Sequence, residues 1–203
     1  MMERIGVLGG TFNPIHLGHL AIAHMAQESL RLKKVIFVPA HLPPHKNSSR
    51  IASTRHRFNM VKLAIQGNPR FEISDFEIKK PGKSYTIDTL WHFRDIFPKP
   101  TQLFFIVGGD TLPQLKNWRY INDILKIATF IVVNRPGQFK RSRGIKIRHH
   151  SVSMPGIDLS SSYIRQRAAL GKSIKYFVPE GVIRYIQHHQ LYQSHKSRGA
   201  KND

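Results

Sequence analysis

Short strand-like runs alternate along this chain with stretches of helical periodicity, and no other feature limits its possible folds so strongly. The runs Arg4-Ile5-Gly6-Val7-Leu8, Lys34-Val35-Ile36-Phe37-Val38, Phe71-Glu72-Ile73-Ser74, Leu103-Phe104-Phe105-Ile106-Val107 and Thr129-Phe130-Ile131-Val132-Val133 are rich in β-branched and aromatic residues. Several are almost continuously apolar, as strands covered on both faces are. Between them, Leu17 to Leu30 carries an apolar stripe at Leu17, Leu20, Ala21, Ala23, Ala26 and Leu30. Thr54 to Ile65 repeats it with Phe58, Met60, Val61, Leu63, Ala64 and Ile65, and Thr86 to Phe97 with Ile87, Leu90, Trp91 and Phe93. Each stripe predicts a helix with one buried face. Strand alternating with helix predicts a parallel sheet joined by right-handed crossovers.

At 203 residues the chain is expected to form one domain with a proper core, residues 1–192, followed by a basic tail, residues 193–203. The predicted class is α/β: a Rossmann-like doubly wound parallel sheet with a small C-terminal helical part. No apolar run approaches the roughly 20 residues that span a bilayer. Glu3 and Arg4 lead straight into a strand pattern rather than a secretion signal, and a cytoplasmic setting is expected. The absence of cysteine excludes disulfides and thiolate metal sites.

Charge is the unusual part of the composition. There are 32 Lys and Arg against 12 Asp and Glu, a net +20 that attracts polyanions: nucleic acid, nucleotides or anionic lipid. Arg135, Lys140, Arg141, Arg143, Lys146 and Arg148 meet no acidic residue until Asp158, and Lys196, Arg198 and Lys201 lie in the tail. A solvated loop and a frayed end account for both clusters. The loops AHLPPHKNSSRIAS (40–53) and NRPGQFKRSRG (134–144) each follow a strand. Both are therefore expected at the carboxyl edge of the sheet, where open α/β folds bind ligands.

GGTFNPIHLGHL, residues 9 to 20, opens the first crossover. Gly9 and Gly10 allow a tight exit from the strand. Asn13-Pro14 predicts a helix start, with Asn as cap and Pro in the first turn. His16 and His19 then share one face, Gly18 lets a ligand approach the backbone, and unpaired helix N–H groups add an anion site. This reads as a phosphate cradle. A zinc site would need a third ligand that the neighbourhood does not offer, and two ordinary histidines are the plain alternative. The dinucleotide fingerprint G-x-G-x-x-G is absent. DLSSSYIRQR, residues 158 to 167, is a serine-rich helix start followed by Arg165. Alone it reads as a serine cap, but beside the first cradle it suggests a polyphosphate gripped at two points.

GGTFNPIHLGHL together with LSSSYIR resembles the nucleotidyltransferases that carry His-x-Gly-His and Ser-Ser-Thr/Ser-x-Ile-Arg motifs. More narrowly, the chain is similar to the bacterial nicotinate-nucleotide adenylyltransferase family. Further matches are Pro43-Pro44-His45-Lys46, GKSYTIDTL from Gly82 to Leu90, Gly108-Gly109-Asp110 with Leu115 and Trp118, Arg135-Pro136-Gly137, and YFVPEGVIRYI. They span nearly the whole chain in order. Asn13 stands where the family often has Asp, Gly109 where Ala is frequent, and Ser162 where Thr is usual.

The resemblance implies transfer of the adenylyl group of ATP to nicotinate mononucleotide, by direct in-line attack and without a covalent intermediate, giving deamido-NAD and pyrophosphate. It implies that His16 and His19 hold the ATP phosphates, with His19 nearer the transition state, and that Arg165 joins them as a catalytic residue. Gly9, Gly10, Thr11, Phe12, Gly18, Lys46, Gly108, Asp110, Ser161 and Ser162 are implied to bind ATP. Tyr85, Thr86 and Trp118 are implied to bind nicotinate mononucleotide. Magnesium is expected to arrive with ATP, since no carboxylate cluster forms a cage. On residues alone, Asp110 reads as a ribose ligand ahead of a helix cap, whereas Trp118 reads as a core indole ahead of a ring stacker. Two rival functions remain: a related transferase acting on phosphopantetheine, and a nucleic-acid-binding module driven by charge. No membrane contact is expected, any nucleic-acid affinity is expected to be nonspecific, and the oligomeric state is open.

Overall fold

A computed structural model describes residues 2–41, 51–80, 82–134 and 147–193. The strands are β1 (Arg4–Gly10), β2 (Lys34–Pro39), β3 (Phe71–Ile73), β4 (Gln102–Gly108), β5 (Thr129–Asn134) and β6 (His149–Ser153). They form one 6-stranded sheet in the order β3-β2-β1-β4-β5-β6, and every pair is parallel. This is the doubly wound order with its reversal point between β1 and β4.

The helices are α1 (Leu17–Ser29), α2 (Thr54–Ile65), α3 (Phe76–Lys79), α4 (Thr86–Ile96), α5 (Ile121–Ile127), α6 (Ser161–Ala169) and α7 (Glu180–His188), with a 3-10 helix at Gly109–Asn117. Successive strand residues point to opposite faces, so one strand feeds two cores. Phe104 and Ile106 of β4 join Ile22 and Ala26 of α1, Met60 and Val61 of α2, Ile164 of α6 and Val182 of α7. Leu103, Phe105 and Val107 face the other way, onto Leu90 and Phe93 of α4 and Ile124 of α5. Burial of both faces is what the continuous apolar runs require.

The helices expected from periodicity lie where the stripes placed them, and the expected strands extend by one or two residues or end one short. β6 is an addition: HHSVS is polar, only Val152 is buried, and a one-sided edge strand carries no apolar run. The short α3, the 3-10 helix and α5 are further additions, each too brief for a full helical stripe.

The start of α1 corrects the sequence reading. The helix begins at Leu17, with His16 and not Asn13 as its N-cap. Asn13 is only 4% exposed, and its polar atoms are already engaged. Its Oδ1 accepts from Ala52 N at 3.0 Å and Tyr192 OH at 2.8 Å, and its carbonyl accepts from Arg165 Nη1 at 2.8 Å. The Leu17 N–H at the true helix start donates to the Phe177 carbonyl at 3.0 Å. Asn13 is a tertiary tie point, which the local Asn-Pro signal does not reveal.

Lys46 with Pro43-Pro44-His45, Arg135-Pro136-Gly137, most of the basic 135–148 stretch and the tail beyond Gln193 lie outside the described residues. Among those described, no helix is long and apolar enough to cross a membrane.

Candidate active site

Because the crossovers after β1 and β4 leave the sheet in opposite directions, a crevice opens at their carboxyl ends. There a cavity of about 850 Å³ is lined by Gly9, Gly10, Thr11, Phe12, Asn13, His16 and His19, by Gly108 and Asp110, by Ser160, Ser161, Ser162 and Arg165, and by Glu77, Ser84, Thr86 and Trp118.

His16, 3% exposed, and His19 lie in the first turn of α1 with their rings stacked at 3.7 Å between centroids. The His16 N–H donates to His19 Nδ1 at 3.2 Å. A ring nitrogen that accepts leaves the other as the N–H donor of the neutral imidazole, so His19 presents Nε2–H. Phe12 sets its edge against His19 at 5.1 Å and is itself 2% exposed. It has a φ of 47°, a costly conformation for a bulky residue. A Cβ on Gly10 would lie 2.9 Å from Phe12 Cζ, so glycine is needed there by close approach. Gly18 is buried within α1.

The serine motif meets this loop across 147 residues of chain: Ser161 Oγ donates to the Pro14 carbonyl at 2.9 Å. Ser160 caps α6 by accepting from Tyr163 N at 3.2 Å, so the plain capping role falls one residue before Ser161 and Ser162. Arg165 Nη1 donates to the Asn13 carbonyl and Nη2 to Ser162 Oγ at 3.1 Å. The site therefore concentrates two imidazoles, a guanidinium and serine hydroxyls, a donor set suited to phosphate oxygens, while the Leu17 and His19 N–H groups of α1 are engaged by the Phe177 and His16 carbonyls.

Asp110 lies inside the first turn of the 3-10 helix, whose N-cap is Gly108, so it lines the cavity without capping. Trp118 packs as a core indole and also reaches the cavity wall. It packs edge-on against Phe105 at 5.8 Å and Phe130 at 6.2 Å, and it lines the cavity. Thr86 opens α4 at the same end. Tyr85, by contrast, is the α4 N-cap, packs against the second core, and carries the Arg119 guanidinium 5.1 Å over its ring. Among the described residues no group of three or more His, Asp or Glu is placed to hold a metal ion.

Sequence reasoning passed over Arg57, Glu77, Ser84 and Tyr192. Arg57 was within reach: it precedes Met60 and Val61 by three and four positions, an arginine on the buried stripe of α2. Burial lowers its pKa, an effect opposed by charge interactions with Tyr192 and Glu77. Burial also raises Glu77, against hydrogen bonds from Thr89 and Ser84. Tyr192 is pushed up chiefly by burial.

The cytidylyltransferase-like family matches residues 7–167. A "probable nicotinate-nucleotide adenylyltransferase" of Thermoanaerobacter sp. (strain X514) is 40% identical over 97% of this chain and 97% of its own. One from Desulfitobacterium hafniense (strain DSM 10664 / DCB-2) is 41% identical over 94% and 96%. In three dimensions, Plasmodium falciparum nicotinic acid mononucleotide adenylyltransferase complexed with NaAD superposes with a TM-score of 0.77 over 94% of this chain and 97% of that one, at 20% identity.

Proposed function

The chain belongs to the nicotinate-nucleotide adenylyltransferases of the cytidylyltransferase-like family, and from that premise we propose how its residues divide the reaction. The reaction transfers the adenylyl group of ATP to nicotinate mononucleotide, giving nicotinate adenine dinucleotide (deamido-NAD) and pyrophosphate, a step of NAD biosynthesis. The observation that carries the division of roles is the meeting of the His16/His19 turn with Ser161, Ser162 and Arg165 at the reversal point of the sheet.

The triphosphate lies between these two motifs. His19 Nε2–H donates to the α-phosphate as charge builds there, and stacked His16 holds the His19 ring in place. Arg165, Ser161 and Ser162 take the β- and γ-phosphates and stabilise pyrophosphate as it leaves. The backbone of Gly9, Gly10 and Thr11 borders the attacked phosphorus, Gly108 and Asp110 receive the ribose, and Lys46 adds charge to the leaving group. Thr86 and Trp118 hold the pyridine nucleotide, the indole stacking on the ring and α4 N–H groups donating to the carboxylate. Tyr85 supports that pocket from behind.

No protein nucleophile is required: the phosphate of nicotinate mononucleotide attacks the α-phosphorus in line, and the bond to the bridging oxygen of pyrophosphate breaks. Positioning and charge neutralisation then supply the rate. Magnesium carried by ATP would neutralise phosphate charge, and of the carboxylates lining the cavity, Asp110 and Glu77, Asp110 would be the one to help hold it, through water. We place the reaction in the cytoplasm, where ATP is drawn on for biosynthesis.

A single displacement inverts configuration at the attacked phosphorus. Chiral adenosine 5′-(α-thiotriphosphate) as donor is expected to give product of inverted configuration. Retention would require a covalent adenylyl-enzyme and overturn the mechanism.

A further inference from the structure

Arg57 is 1% exposed and spends three N–H groups on three separate backbone segments. Nη1 donates to the Thr11 carbonyl at 2.9 Å, Nη2 to the His41 carbonyl at 2.9 Å, and Nε to the Ala52 carbonyl at 3.0 Å. Thr11 ends the histidine turn's approach from β1, His41 follows β2, and Ala52 leads into α2. One rigid, planar fork therefore sets the relative position of three chain segments.

From His41 the connection runs on. The His41 N–H donates to Ser84 Oγ at 2.9 Å, and its Nδ1 bonds the Ile78 carbonyl at 3.0 Å. Ser84 also bonds Glu77, which is 7% exposed and accepts from Thr89 Oγ1 of α4 at 2.5 Å. Thr11 borders the cavity, and so do Ser84, Glu77, Thr86 and Trp118. A chain of hydrogen bonds thus runs from Thr11, assigned above to ATP, through Arg57 and His41 to Ser84, two positions before Thr86 of the pyridine-nucleotide pocket.

We infer that Arg57 is a positioning residue for adenylyl transfer: by holding the Thr11 and His41 carbonyls together, it sets the separation between the ATP half-site and the nicotinate mononucleotide half-site. The inference rests on the two-substrate reading above. A buried guanidinium satisfied by carbonyls is expensive to desolvate, and an apolar side chain of similar length would fill the space at less cost. Its fork geometry fits a positional task that packing alone would not demand. In-line attack depends on that separation, because a misplacement of about 1 Å costs on the order of 100-fold in rate.

The test compares the full chain with Arg57→Met and Arg57→Lys, measuring kcat, the KM for each substrate, the separate Kd of ATP and of nicotinate mononucleotide, and the thermal midpoint. Arg57→Met is expected to bind each substrate alone within about 3-fold of the parent yet turn over on the order of 100-fold more slowly. Arg57→Lys, which meets fewer carbonyls, is expected to recover part of that loss, and it carries the test if the methionine variant does not fold. Unchanged kcat in a folded variant, or binding of both substrates lost in step with the thermal midpoint, overturns the inference. An unmodified chain that is silent with nicotinate mononucleotide overturns the functional reading, and this inference with it.

Discussion

The backbone N–H of His16 donates to the Nδ1 of His19 at 3.2 Å, and the two rings stack at 3.7 Å. The helix cap thereby serves as a tautomer lock, fixing Nε2 as the nitrogen of His19 that carries the proton. Under the proposed division of roles, replacing His19 with Ala removes the donor to the α-phosphate. Turnover is expected to fall by about 10²- to 10³-fold with an unchanged circular dichroism spectrum. A folded variant with near-parent turnover would remove His19 from the mechanism.

Gly10 sits under the Phe12 ring, whose Cζ and Cε1 would lie 2.9 and 3.0 Å from a Cβ at that position. Phe12 is buried and packed against Phe37 and His19. Gly10→Ala is therefore expected to cost about 1–3 kcal/mol of stability through overpacking, read from denaturant unfolding. Turnover is expected to fall as well, because the displaced ring bears on His19. A neutral effect on both would show that Phe12 does not hold the histidine.

Arg165 uses two nitrogens of one fork, on Asn13 O and Ser162 Oγ, where the histidine turn meets α6. Lysine keeps the charge but loses the fork. Steady-state kinetics of Arg165→Lys are expected to show kcat/KM for ATP reduced about 10- to 100-fold, with the KM for nicotinate mononucleotide nearly unchanged. An equal rise in both KM values would point to a general disturbance of the cavity.

His56 of α2 faces α7. Its Nδ1 is 3.0 Å from Tyr185 OH, and its ring centroid is 5.0 Å from that of His189. Burial first, then the charges of His189 and Arg55, depress its pKa below the ordinary 6.5. The unfolded chain therefore takes the proton before the folded one does. The contribution of His56 is complete above pH 6.5 and is lost as pH falls toward the depressed value. The thermal midpoint is expected to drop between about pH 7.5 and 5.5, and to drop less in His56→Gln. Equal slopes for parent and variant would dismiss His56 as the source.

The alternation of apolar runs made the layered fold legible, because strands buried on both faces must be apolar at every position. Edge strand β6, with Val152 alone buried, left no such trace. At the site, the fold brings the glycines, histidines and serines whose local pattern reads as phosphate-binding to one cavity. The role of Asn13 was misread as a cap because its partners, Ala52, Arg165 and Tyr192, are distant in sequence. Arg57 lay in view on an apolar stripe, but the carbonyls that justify its burial come from segments that only the tertiary fold brings together.

The most direct test of the account is pyrophosphate release from ATP and magnesium with nicotinate mononucleotide, nicotinamide mononucleotide and phosphopantetheine as parallel acceptors. Strong turnover with nicotinate mononucleotide, weak turnover with its amide and none with phosphopantetheine is the expected result. Turnover confined to phosphopantetheine would contradict the roles given to Thr86 and Trp118, and silence from the folded chain with all three would contradict the assignment of the reaction itself.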